Sequence, residues 1–202
     1  MKIICVGRNY VDHIKELNND IPENPVFFFK PETSLNKSSQ LKYPSITNNL
    51  HYEVELVFKK KKKEKNIKKI NAKTYIDSIA IGIDFTARDI QSKAKEGRLP
   101  WDLSKGFDNS ASVSKFKIIS FFKNINNINF SLYKNNKEVQ NGNSKLMIYK
   151  IDFLIHYISK YVTLNKGDLI FTGTPKGVGS VNVGDKLEGY IENEKLLTTN
   201  II

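Results

Sequence analysis

The sequence predicts a mixed, mainly β fold with a few short helices, and three features carry that prediction. The segment HYEVELVF (51–58) alternates strictly, placing His51, Glu53 and Glu55 on one face and Tyr52, Val54 and Leu56 on the other. Short runs rich in Ile, Val and Phe recur between Gly, Pro and Asn punctuation. Only one stretch sustains the three-four apolar spacing of a substantial helix: Met147, Ile151, Leu154, Ile155, Ile158 and Val162, within about 145–162.

From the N-terminus, Ile3 to Val6 reads as a strand that turns at Gly7. Val11 to Leu17 reads as a short helix or turn with Asp12 at its start. Val26 to Phe29 is a compact apolar strand, stopped at Lys30-Pro31 because the residue before proline is excluded from helix. Ser34 to Asn49 is polar and reads as a long loop, a kind of segment that is often functional. After the alternating strand and a lysine-rich stretch, Ala72 to Ser78 can form a short helix leading into a strand, Ile79 to Asp84. Ala87 to Glu96 reads as helix, ended by Gly97. Phe116 to Phe122 and Phe130 to Lys134 follow as strands, the second entering a hairpin at Asn135-Asn136. With 202 residues, no internal repeat and no linker, a single domain over 1–202 is expected.

Composition excludes several function classes. No apolar run approaches the roughly 20 residues that span a bilayer, and MKIICVGRNY lacks the pattern of a secretory signal. The lone Cys5 rules out an internal disulfide and any Cys-rich zinc module, and it reads as a buried, inert thiol. A cytoplasmic protein with no membrane partner is expected. The net charge of +11 invites a nucleic-acid reading, but only Arg8, Arg88 and Arg98 are arginines, the side chain best suited to phosphates and guanine edges. Much of the excess lies in Lys59 to Lys69, where eight lysines stand without interleaved aromatics. This reads as a solvated loop, and no nucleic-acid partner is expected.

The residues that carry chemistry begin with Glu53 and Glu55. Two apart on a strand, they point the same way, about 7 Å apart at ~3.3 Å per residue. Two unpaired carboxylates on a buried strand face would be very costly, and a cation is the compact remedy. Asp84, closing the apolar strand SIAIGID (78–84), would carry a third carboxylate to the edge of a sheet. Three carboxylates without a Cys or His cluster select Mg²⁺, Mn²⁺ or Ca²⁺ over Zn²⁺. Taken alone, Glu-x-Glu more often describes a solvent-facing strand paired with lysines.

Context changes that weighting. GRNY (7–10), HYEVEL (51–56), IDFTARDIQ (83–91), LPWDLSKGFD (99–108) and GDLIFTGTPKGVG (167–179) occur in this order. Together they closely resemble the fumarylacetoacetate hydrolase family, above all its small branch of acylpyruvate hydrolases and oxaloacetate decarboxylases. The resemblance covers nearly the whole chain, and TARDIQ and FTGTPKGVG are its specific signatures. It implies a β-sandwich or β-roll core, a homodimer, and one Mg²⁺ or Mn²⁺ per subunit held by Glu53, Glu55 and Asp84. It also implies that Lys105, in LSKGFD, sits beside the metal, where a cation can stabilise negative charge developing on substrate.

His13 and Glu16 stand three apart, so one helical turn places them on one face, and a carboxylate-oriented histidine can activate water. In the branch this chain resembles, such a pair lies on a lid over the substrate. The resemblance assigns Arg8, Arg88, Gln91 and Thr174 to substrate-pocket or supporting positions, and Lys30, in KPETS, to the lining of the pocket. TGTPKGVG lacks the endings of phosphate and dinucleotide loops, so its glycines read as tight turns near the pocket. His51 and His156 read as structural. One departure is KGFDNSASVS, which lacks the Thr and the following Pro common in the family, without loss of Lys105 or Asp108.

The expected function is hydrolytic cleavage of acylpyruvates, decarboxylation of oxaloacetate, or both, through a metal-stabilised enolate of a small 2-oxo or 2,4-diketo acid. Tautomerisation or isomerisation of oxaloacetate or of a 2-hydroxymuconate-type dioate is the nearest alternative. A binding protein using the lysine loop on RNA is the contrasting class.

Overall fold

The computed structural model describes residues 1–202. Its main sheet is built where the sequence is richest in β-branched residues. Strands β1 (Ile3–Gly7), β2 (Val26–Lys30), β3 (Leu50–Tyr52), β4 (Val54–Lys60), β5 (Ile76–Asp84) and β6 (Ala111–Val113) lead the chain to the hairpin β7 (Asn129–Lys134)–β8 (Lys137–Asn143), then to β9 (Leu169–Phe171), β10 (Lys186–Ile191) and β11 (Glu194–Ile201). The eight-stranded sheet runs β2-β1-β9-β4-β5-β6 and ends on Leu35–Asn36, with Lys117–Ile118 also beside β5. A five-stranded sheet, β8-β7-β10-β11 and Gln40–Leu41, packs against it, and β3 joins Gly179–Ser180 and Thr86–Ala87 in a small third sheet.

Alternation along β4 and β5 decides what lies on each face. Val54, Leu56, Phe58, Ile79, Ile81 and Ile83 enter the large core between the sheets, while Val57 and Ala80 join Ile3, Cys5 and Phe171 in a smaller cluster on the other face. Burial of such side chains contributes about 1.5–3 kcal/mol each and holds the sheet in a single register. In that register Glu55 lies opposite Gly82, and the Asp84 N–H donates to the Glu53 carbonyl at 2.8 Å. Glu53, Glu55 and Asp84 therefore share the second face. Gly82 is needed there, because a Cβ would lie 2.7 Å from Val57 Cγ2 and 2.8 Å from Phe171 Cε1.

Several expected elements change form. The predicted strand 51–58 breaks at Glu53, where the chain passes from the small sheet into the large one. β5 is an interior strand, so Asp84 stands at a strand's end rather than at a sheet edge. The loop 34–49 contains two short strands, and 72–78 is a 3₁₀ turn over Lys69–Tyr75 followed by strand. Only Lys117–Ile118 of 116–122 is strand, followed by a 3₁₀ turn over Ile119–Phe121.

The helices are α1 (Val11–Glu16), α2 (Arg88–Glu96), α3 (Asp102–Lys105) and α4 (Ile151–Tyr161). α4 starts six residues later than its periodicity suggests. Met147 bridges Tyr10 as extended backbone, and Lys150 Nζ donates to the carbonyls of Ser144, Lys145 and Met147, so those groups are satisfied outside a helix. The hairpin turns at Asn135 and Asn136, both with positive φ (51° and 67°), as the two-residue primed turn demands. The lysine-rich stretch is anchored by buried Ile67 and by a bridge between Glu64 and Leu164. No helix is long and apolar enough to cross a membrane.

Candidate metal centre and the cavity around it

Where β4 and β5 leave the large sheet together, Glu53, Glu55 and Asp84 converge. One carboxylate oxygen from each lies within 4.8 Å of the others, and all three residues are buried. Such a concentration of negative charge requires compensation. Lys105, at the end of α3, donates to Glu53 Oε2 and Asp84 Oδ2, each at 2.8 Å, and to Thr86 Oγ1 at 2.6 Å. Burial alone would lower the Lys105 pKa, but Asp84 and Glu53 outweigh it and hold the pKa above the ordinary lysine value. The ammonium therefore stays charged at neutral pH.

Arg88, the first residue of α2, donates to Glu53 Oε1 and, through its other terminal nitrogen, to Gln91 Oε1. Burial would raise the Glu53 pKa, but Lys105 and Arg88 reverse the effect and lower it. Glu55 differs from its two neighbours. No basic side chain lies within ion-pair distance of it, and its recorded partner is the Gly173 N–H at 2.6 Å. Burial, then Asp84 and Glu53, raise its pKa well above the usual carboxylate range.

These residues fit a divalent cation. The donors are all oxygens, as a hard cation prefers, and Glu55 lacks a basic counter-charge. Asp84 Oδ1 lies 2.7 Å from Lys30 Nζ, yet it makes no hydrogen bond of acceptable geometry.

The cavity above the trio is lined by residues from several segments. The turn after β1 supplies Gly7 and Arg8; α1 supplies His13 and Ile14; α2 supplies Arg88, Gln91 and Lys95; Trp101 and Lys105 flank and end α3; and Thr174 comes from the loop after β9. His13 Nδ1 lies 3.1 Å from Glu16 Oε2, and Glu16 Oε1 accepts from the Gly177 N–H at 2.9 Å. The predicted pair thus ties α1 to the glycine-rich loop. Gly177 suits that role, with φ +98° and the Val139 carbonyl only 2.2 Å from where a Cβ would stand. Thr174 is held by Gln140, whose Nε2 donates to Thr174 Oγ1 at 2.8 Å while its Oε1 accepts from the Val54 N–H between the two glutamates.

Among the residues expected around substrate, Lys30 alone stands off the lining. It is fully buried behind Asp84, and its ammonium donates to the carbonyls of Phe85, Lys105 and Ser110 and to Ser110 Oγ. Its partners make it a support for Asp84 and for the segment bearing Lys105, one layer behind the lining where substrate contact was expected. His51 also lies off the lining; burial and Arg88 lower its pKa to about 4, which keeps it neutral. His156 Nδ1 donates to the Ile67 carbonyl oxygen at 2.7 Å, as a structural histidine would.

Phe28, Lys95 and Trp101 are cavity residues that the sequence reading missed. The available signal was the 88–91–95 spacing, which places Arg88, Gln91 and Lys95 along one face of α2.

Comparisons with known proteins point to one family. A family described as "Fumarylacetoacetate (FAA) hydrolase C-terminal" matches residues 2–201. An oxaloacetate tautomerase of Arabidopsis thaliana is 40% identical over 191 residues, 94% of this chain and 86% of the relative. An oxaloacetate decarboxylase of Dictyostelium discoideum is 41% identical over 189 residues, 93% of this chain and 87% of the relative. The crystal structure of a fumarylpyruvate hydrolase from Pseudomonas aeruginosa, in complex with Mn²⁺ and pyruvate, superposes with a TM-score of 0.95 at 33% identity. That match covers 100% of this chain and 89% of the other.

Proposed function

The chain belongs to the fumarylacetoacetate hydrolase family of enzymes, and from that premise we propose that it interconverts the enol and keto forms of oxaloacetate with Mg²⁺ or Mn²⁺. The observation that carries this reading is the placement of His13, with its Nδ1 engaged by Glu16, on the same cavity as Lys105 and the three carboxylates. That combination offers one proton carrier and one centre for polarising a 2-oxo group.

A divalent cation held by Glu53, Glu55 and Asp84 would supply Lewis-acid polarisation of the 2-oxo group. The remaining work falls to side chains of this chain. Arg88, Gln91 and Thr174 line the cavity and bind and orient the carboxylate beside the 2-oxo group. Lys105 places a permanent positive charge next to the oxygen on which negative charge develops. Tautomerisation moves one proton from the enol oxygen to C3. His13 Nε2 is the group that carries it, because Nδ1 is fixed by Glu16. α1, tied to Gly177, keeps bulk water from the reacting atoms.

Decarboxylation of oxaloacetate is the second reading, favoured by the same cations. As the C3–C4 bond breaks and CO₂ leaves, its electrons pass into the 2-oxo group that Lys105 faces. Stopped-flow decay of enol absorbance, with pyruvate release followed separately, tests the two. We expect Mg²⁺ or Mn²⁺ to accelerate enol decay well beyond the rate of pyruvate formation. Pyruvate appearing as fast as the enol disappears would give decarboxylation first place, and no acceleration of either process would sink both readings.

The reading places the enzyme in the cytoplasm, and the one cysteine, Cys5, is buried in β1 away from solvent oxidants. It includes a homodimer. An apolar hollow outside α3, formed by Phe29, Pro31, Ile46, Ile90, Leu103 and Phe107, supports a second copy as partner. Light scattering of the purified protein should then give about twice the 23.2 kDa chain mass, and a mass of one chain would refute it.

A further inference from the structure

The charges in the cavity do not balance. Glu53, Glu55 and Asp84 are offset by Lys30, Arg88 and Lys105, which stand in ion-pair contact with Glu53 or Asp84. Arg8 and Lys95 also line the cavity, and neither has an ion-pair partner or a side-chain hydrogen bond. Both gather at one aromatic ring: the Arg8 guanidinium lies 6.0 Å and the Lys95 ammonium 5.8 Å from the Trp101 centroid. A divalent cation on the trio would enlarge the positive surplus.

Both cations are held where they oppose one another. Lys95 is an exposed residue overall, yet burial of its ammonium, then Arg88 and Arg8, lower its pKa. Arg8 sits at φ 56°, in the left-handed region that a branched or long side chain seldom adopts without a functional reason. An aromatic face tolerates cations but does not neutralise them. An anionic group in the cavity beside Arg8 and Lys95 would relieve the repulsion.

We infer that Arg8 and Lys95, framed by Trp101, form a subsite for the second carboxylate of a dianionic 2-oxo acid, and so set selectivity for dicarboxylates over monocarboxylates. The inference rests on the reading of the site as one for 2-oxo acids. It assigns Lys95 a role in specificity, and it gives Arg8 a definite one: the far end of the substrate rather than the end held at the carboxylate trio.

The test compares calorimetric binding of 2-oxoglutarate and 2-oxopentanoate to the Mn²⁺-loaded protein. The two acids have the same chain length and differ only in the terminal carboxylate. Wild-type protein should favour the dianion. Lys95→Gln and Arg8→Gln should each lower the dianion-to-monoanion affinity ratio by about tenfold, the scale of one charge-assisted contact, while Lys95→Arg keeps it. In oxaloacetate turnover, the same two Gln variants should raise KM by more than they lower kcat. An unchanged affinity ratio in both variants, or a wild-type protein indifferent to the second carboxylate, overturns the subsite. If the ratio responds as stated but oxaloacetate is not turned over, the subsite stands and the proposed reaction fails. Turnover with an insensitive ratio means the reverse.

Discussion

Replacing Asp84 with Asn should remove Mg²⁺- or Mn²⁺-dependent activity by at least about a hundredfold, because several kcal/mol of Lewis-acid stabilisation depend on the cation it helps to hold. The same change should also destabilise the fold. Asp84 is the counter-charge for two buried lysines, Lys30 at 2.7 Å and Lys105 at 2.8 Å. Leaving a buried ammonium without its carboxylate costs about 3–5 kcal/mol, which in a chain of this size lowers Tm by roughly 10 °C. The two effects separate in a double variant. Lys30→Met combined with Asp84→Asn removes one stranded charge, so it should recover part of the lost Tm while activity stays absent. Lys30→Met alone should lower Tm without a selective rise in KM, since Lys30 touches Asp84 and backbone carbonyls instead of the cavity. Metal titration followed by melting gives a third reading: Mn²⁺ should raise Tm of the wild-type protein by mass action and leave Asp84→Asn unchanged. Retained turnover in Asp84→Asn would mean that the metal centre is misplaced.

The roles of Asp84 and Lys30 also show what a sequence can and cannot convey. Glu53 and Glu55 are readable as a pair because strand periodicity is local: two residues apart means one face. Their convergence with Asp84 depends on the register of β4 against β5, which is fixed by Ile and Val side chains entering the core and by Gly82 opposite Glu55. Family motifs bridged that gap. Lys30 could not be resolved in this way, since its partner lies far along the chain and its ammonium points beneath the site, not into it. Lys95 was hidden for a different reason. In a chain with so many lysines, one more on a helix carries little information until Arg8 and Trp101 are brought beside it. The overlong prediction for α4 has a comparable origin. Met147 fits the helical stripe, but its pairing with Tyr10 satisfies the backbone as a β-bridge, a contact between distant segments that periodicity cannot express. The mainly β class, the trio and the His13–Glu16 pair rested on local patterns or on ordered motifs, and the structure brings those residues together.

Replacing His13 with Gln should divide the two oxaloacetate reactions. Tautomerisation needs a group that takes a proton at oxygen and delivers one at carbon. A positioned acid–base residue contributes about 10²–10⁴-fold, so enol decay should slow by that order. Breaking the C3–C4 bond needs charge stabilisation and not a proton carrier, so decarboxylation should fall far less while Lys105 and the carboxylates remain intact. Glu16→Ala offers the control. It removes the partner of His13 Nδ1 and also the acceptor for the Gly177 N–H, so it should slow tautomerisation and loosen α1 together. Glu16→Gln keeps one oxygen, which can accept from the Gly177 N–H, while its amide NH2 cannot accept from His13 Nδ1, so it should restore the attachment of α1 more fully than the rate. Hydrogen exchange at the Gly177 amide reports the attachment independently of turnover: protected in the wild type and in Glu16→Gln, exposed in Glu16→Ala. An equal loss of both reactions in His13→Gln, with that amide still protected, would show that His13 orders the substrate and does not transfer the proton.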